Sequence, residues 1–206
     1  MENASVGKTG SAIMGLSILA FAISMFAGLF TNAMFACCLS SIFIAIGFIP
    51  FMAAINAHNT EKQSACTISA MCFAVIYAIL IFLVYYAECT TVRMNTDLSE
   101  ETLSIISFGH LGSLFFNYDL LGYAFMALST FLTGLSFKAV DKNGRILKLL
   151  LMIHGVFFIS CLFVPVFPVF TDGTGNLAGT LLLEIWCLYF LPICILGYKY
   201  FAEQNR

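Results

Sequence analysis

The chain has 206 residues, of which 61% are hydrophobic and only 10% charged, with a formal net charge of −2. An average soluble domain carries about 25% charged residues, so composition excludes a soluble globule, and the near-neutral charge leaves no footprint for a nucleic-acid partner. The apolar residues come in long continuous runs, each able to cross a hydrocarbon layer about 30 Å thick with about 20 residues. This predicts an all-α polytopic membrane bundle in contact with the lipid bilayer. The alternation that a transmembrane barrel requires is missing.

Six spans are predicted, at roughly 11–30, 33–56, 65–87, 116–137, 146–168 and 177–200, within a single transmembrane domain over 1–206. The first run is longer than the 7–15 residues of a signal-peptide core, so it reads as a retained helix. Only Thr31 and Asn32 join it to the second, which predicts a tight antiparallel hairpin. Small residues recur at four-residue spacing: Ala20, Ser24 and Gly28, then Ala33, Cys37, Ser41 and Ala45, then Ala70, Ala74 and Ala78. Such stripes let helices approach closely in lipid, so the first three helices are expected to pack on them, with a homodimer seam as the alternative use. The polar segment 88–115 is expected outside the membrane. There Asp97 with Glu100 reads as a capping box, and Leu103, Ile106, Leu111 and Leu114 form an apolar stripe. A short surface helix is predicted over 98–112.

In the fourth span Asp119, Gly122, Met126, Thr130 and Thr133 share one helical face. Its sequence, NYDLLGYAFMALSTFLTGLSF (117–137), resembles spans of small uncharacterised bacterial six-helix integral membrane proteins. That resemblance covers about a tenth of the chain and implies a membrane bundle, with no site residue carried over. A basic segment follows at 138–148. Pro165 and Pro168 mark the exit of the fifth span, and DGTGNLAG (172–179) reads as a turn. The last span contains both Glu184 and Pro192, the latter expected to bend its helix.

With six spans, the N-terminus, the 57–64 and 138–145 loops and the C-terminus share one side. That side holds Lys8, Lys62, Lys138, Lys142, Arg145, Lys148, Lys199 and Arg206, all of the 9 basic residues except Arg93. Short loops rich in Lys and Arg mark the cytoplasmic face, so both termini are expected in the cytoplasm and the protein in the plasma membrane. Glu88, Asp97, Glu100, Glu101, Asp119 and Asp172 fall on the opposite side. Tyr85, Tyr86, Tyr118 and Tyr123 near the outer ends, with Tyr198 and Tyr200 near the inner end, fit interfacial aromatic belts. The 8 cysteines include no C-x-x-C pair and are expected to be free thiols, with Cys89 alone outside the spans.

Depth sorts the ionisable residues. Counted from the nearest inner basic residue at about 1.5 Å per residue, Asp119 lies roughly 28 Å up, at the outer interface. Glu184 lies roughly 22 Å up, His154 roughly 14 Å and Thr130 roughly 12 Å. A charge at the bilayer centre costs at least ~2.5–3.5 kcal/mol, which makes such residues functional candidates. Glu184, His154, Asp119 and Thr130 are therefore expected to serve a path for a small solute or ion, provided their faces converge. The alternative is an accessory or regulatory subunit, a permease half or sensor, that meets a partner protein through the basic 138–148 segment. No H-E-x-x-H, G-x-S-x-G or P-loop pattern occurs, so no catalytic residue or cofactor is predicted and a non-enzyme is favoured. A metal site from His154, Cys161, Glu184 and Cys187 is disfavoured by the depth difference of roughly 9 Å between His154 and Glu184.

Overall fold

A computed structural model describes residues 2–58, 64–167 and 175–203, and among them every regular element is helical. The helices are α1 (Glu2–Gly28), α2 (Met34–His58), α3 (Ala65–Ala87), α4 (Glu100–Ile106), α5 (Leu114–Ser136), α6 (Lys142–His154), α7 (Phe157–Val166) and α8 (Gly175–Glu203). A π-helical turn, Glu88–Val92, prolongs α3. Side-chain caps fix several starts: Ser64, Ser99 and Ser113 each accept the backbone N–H three residues on, and Asp141 accepts those of Asn143 and Gly144. Each cap pairs a donor that the first helical turn leaves without a partner.

Five helical stretches are long and apolar enough to cross a membrane: Glu2–Gly28, Met34–Ala57, Ala65–Val92, Lys142–Val166 and Leu177–Glu203. Helix α5 has 23 residues but is not among them. Asn117, Asp119, Ser129, Thr130 and Thr133 lower its hydropathy, and four of those five are buried. It packs against α3, α6 and α7, while α1 packs on α2 and α8, and α2 on α3. The distribution of polarity is inside out. Leu16, Ile23, Ile79, Leu83, Ile159 and Leu188 are exposed, whereas Ser41, Asp119, Ser129, Thr130, Thr133 and His154 are buried. A soluble monomer does not expose apolar surface on this scale; a bundle in hydrocarbon does.

The chain ends meet at one end of the bundle. Gly7 packs on the Phe201 ring, the Lys8 ammonium sits 5.2 Å from the Tyr198 ring centre, and Phe137 of the α5 C-terminal cap lies 5.3 Å from Tyr200. At the opposite end the α1–α2 connection, residues 108–111 and the start of α8 surround a cavity.

Several sequence expectations change. The stripe Ala20, Ser24, Gly28 does not bind α1 to α2, for Ala20 and Gly28 are exposed. The close crossing is made by Gly10 and Gly47. A Cβ on Gly47 would lie 2.6 Å from the Met14 nitrogen, and one on Gly10 would lie 2.7 Å from that of Phe51. The α2 residues Cys37, Ser41 and Ala45 and the α3 stripe are buried, and Ser129 donates to the Ala70 carbonyl at 2.7 Å. The hairpin link is longer than Thr31–Asn32, because α1 stops at Gly28 and α2 starts at Met34.

Instead of a helix over 98–112, α4 spans seven residues capped by Ser99 rather than Asp97. Residues 107–113 fold back because the Glu88 carboxylate accepts the Phe108 N–H and Ser113 donates to the Ser107 carbonyl. The fifth span is broken after His154. Gly155 and Val156 bond three residues back, to Met152 and Ile153, and α7 restarts at Phe157. Gly155 presses on Phe131, where a Cβ would lie 2.9 Å from the side chain. Helix α8 runs unbroken through Pro192. Tyr85 and Tyr123 are buried, not in a belt, and Cys89 is buried in the π turn; all eight cysteines are free thiols. Lys62, Pro168, Asp172, the first residues of the glycine-rich turn and Arg206 lie outside the described residues.

Candidate functional site

Helix α5 presents Asp119, Tyr123, Met126, Thr130 and Thr133 on one face, and all five are buried. Helical spacing alone lines them up; what they meet on neighbouring helices makes the site.

At the C-terminal end of this line, Thr130 Oγ1 lies 2.8 Å from His154 Nδ1, and the Trp186 indole nitrogen lies 3.1 Å from His154 Nε2. An indole N–H can only donate, so Nε2 is the unprotonated acceptor. The ring proton is then on Nδ1 and is donated to Thr130 Oγ1. The Thr130 hydroxyl passes its own proton to the Ala127 carbonyl at 2.9 Å. Every polar atom of this chain is satisfied with a neutral imidazole; a second ring proton would set two donors against each other. Phe190, Phe157 and Tyr189 enclose the ring at centroid distances of 4.9, 5.2 and 6.0 Å. His154 is the last residue of α6, so the break in the span falls beside it.

At the N-terminal end of the line the pattern reverses. Asp119 is buried at 5% exposure, its carboxylate facing the Tyr85 hydroxyl, while Oδ1 has no hydrogen-bond partner among the described residues. The Tyr77 and Tyr123 rings meet edge to face at 5.6 Å, and neither hydroxyl has a hydrogen-bond partner among the described residues. Ser41 of α2 lies near the Tyr123 hydroxyl but gives its proton to the Cys37 carbonyl. Among the described residues, no cationic side chain faces Asp119. The two clusters touch through Tyr123 and Trp186, whose rings pack edge to face at 5.2 Å.

Above Asp119 lies the cavity, about 290 Å³, lined by Cys37, Phe108, Leu111, Phe116, Thr180 and Leu183 among others. Phe116 stands one helical turn before Asp119, and Cys37 one turn before Ser41, so the cavity lies about one turn from the Asp119 cluster. Thr180 stands one turn before Glu184. Glu184 is half-buried and lies near Cys37 and Cys187, with Oε1 also unpartnered. No hydrogen bond among the described residues joins it to Asp119 or His154.

The structure therefore unites Thr130 with His154, buries Asp119 farther along the same α5 face, and sets Glu184 one turn from the cavity-lining Thr180. Tyr77, Tyr85, Tyr123 and Trp186 complete the site and escaped the sequence reading. Their one signal was Tyr77 and Trp186 in mid-span, away from the interfaces where such rings gather. No three His, Cys, Asp or Glu residues gather as metal ligands among the described residues. Compared with protein-family models, curated proteins and solved structures, the chain finds no match.

Proposed function

We propose that this is a six-span membrane protein, with both termini in the cytoplasm, that binds or translocates a small solute or ion along the buried face of α5. The observation that carries the reading is the line of buried polar side chains from Asp119 to His154, with a cavity at its head. In this reading α5 is the sixth span, and the apolar helices around it shield its polar residues from lipid. The break after His154 fits too, since non-helical backbone at membrane depth is tolerated where protein buries it or where it borders a water-filled passage. Lys8, Lys138, Lys142, Arg145 and Lys199 lie toward the end where α1 begins and α8 finishes, and this basic bias supports assigning that end to the cytoplasm.

The accessory-subunit reading keeps one supporting observation: Lys142 and Arg145 are exposed at the start of α6. Lys148 is withdrawn from any such docking patch, donating to the Phe137 carbonyl at 2.9 Å. Purified protein reconstituted in vesicles with dyes for H⁺, Na⁺ and K⁺ tests the main reading. Flux above that of protein-free vesicles, lowered by Thr130→Val, is expected. A rate equal to that of empty vesicles for every ion refutes translocation. Loss of a co-purifying partner on reversing Lys142 and Arg145 favours the accessory role.

A further inference from the structure

We infer that Asp119, Tyr77 and Tyr123 form a site for one monovalent alkali cation. As a station on a conduction path it rests on the function proposed above; as a binding site it stands on its own geometry. Three buried oxygens have no hydrogen-bond partner among the described residues: Asp119 Oδ1 and the Tyr77 and Tyr123 hydroxyls, on residues 5%, 0% and 7% exposed. Asp119 and Tyr123 are one turn apart on α5, and Tyr77 meets Tyr123 from α3. Oxygens left bare so deep in a protein are rare and call for an explanation.

Charge narrows the occupant. Asp119 meets the Tyr85 hydroxyl from α3, and the other titratable groups in its surroundings among the described residues are Tyr77 of α3, Tyr123 on its own helix, Cys38 of α2 and Cys161 of α7. All are neutral groups, so the carboxylate has no protein counter-charge. A buried ionised carboxylate without one is strongly unfavourable. A water molecule would supply hydrogen bonds but no charge. A proton would neutralise the carboxyl yet leave the tyrosine oxygens unserved. A cation does both, because hard cations take carboxylate and neutral oxygens together. One carboxylate matches a single positive charge; dedicated divalent sites draw on more acidic ligands. The cavity lies one helical turn away, at Phe116.

Trp186 provides the readout. It is the protein's only tryptophan and its ring contacts Tyr123. Protein in detergent micelles is titrated with NaCl against choline chloride at constant ionic strength, following Trp186 fluorescence and Tm, and then with LiCl and KCl. A saturable fluorescence change with a rise in Tm is expected for at least one alkali cation. Asp119→Asn should abolish both, and Tyr77→Phe should weaken the apparent affinity about tenfold by removing one oxygen ligand. No saturable response to any of the three cations, or an Asp119→Asn response equal to wild type, overturns the site. Should Asp119→Asn fail to fold, an unchanged affinity in Tyr77→Phe overturns it equally. Saturable binding without vesicle flux keeps the site and refutes translocation, whereas proton flux without alkali-cation binding does the reverse.

Discussion

Substituting Gly47 by Ala and, separately, Gly28 by Ala sets the structure against the small-residue pattern of the sequence. A Cβ on Gly47 would lie 2.6 Å from the Met14 nitrogen, 2.8 Å from the Gly10 carbonyl oxygen and 3.0 Å from the Met14 Cα. All three are backbone atoms of α1, so no rotamer change can relieve the contact. The shortest is about 0.8 Å inside ordinary van der Waals separation, and the two helices must part or slide by a similar amount. Overpacking of this kind costs ~1–3 kcal/mol, offset by up to ~1 kcal/mol because Ala favours a helix interior over Gly. A Cβ on Gly28, by contrast, meets only the Ala33 Cβ at 4.0 Å, so Gly28→Ala should be neutral or slightly stabilising. Equilibrium unfolding in mixed micelles, followed by circular dichroism, should place Gly47→Ala ~1–3 kcal/mol below Gly28→Ala. If Gly47→Ala is as stable as Gly28→Ala, the α1–α2 crossing described above is wrong.

Thr130→Val should leave the His154 Nδ1–H without an acceptor and cost ~1–3 kcal/mol. A Thr130/His154 double-mutant cycle should show coupling of about 0.6 and at most ~1.7 kcal/mol; a coupling of zero contradicts the bond. Nitrogen NMR of the labelled imidazole should find the Nδ1–H tautomer in wild type and a mixture of tautomers in Trp186→Phe, where the donor to Nε2 is gone. Glu88→Ala should release the Phe108 N–H, a loss of ~1–3 kcal/mol felt locally. Hydrogen exchange at Phe108 and Gly109 should then accelerate while α5 amides stay unchanged; protection unaltered at Phe108 would show that Glu88 does not hold the 107–113 segment.

The polar face of α5 was legible in the sequence because it belongs to a single helix: Asp119, Gly122, Met126, Thr130 and Thr133 are aligned by periodicity alone. Membrane class was legible for a similar reason, since lipid-facing residues such as Leu83 and Leu188 leave their mark on composition. Whatever depends on the mutual rotation of helices was not. Spacing cannot tell whether Gly10 or Gly28 meets α2 closely: about five full turns separate them, so they share one face of α1, and only the height of the crossing decides that Gly10 is buried while Gly28 is exposed. Tyr85 and Tyr123 sit near span ends, so they read as interfacial anchors until Asp119 and Tyr77 are seen to hold them inside. The break after His154 is carried by one glycine with no proline, and that glycine packs on the Phe131 side chain of another helix. Trp186 was hidden in the same way: its meaning comes from a hydrogen bond to a residue 32 positions away.

The central claim, that the line from Asp119 to His154 is a protein interior reached by small aqueous ions and sealed from lipid, is tested most directly by quenching Trp186 in reconstituted vesicles. Trp186 is 5% exposed and reports without labelling because no other tryptophan competes. Cesium ions added to the water phase should quench it measurably, while lipids brominated along their acyl chains should leave its emission nearly unchanged. Strong quenching by brominated lipid with none by cesium would place Trp186 against the bilayer and contradict the account.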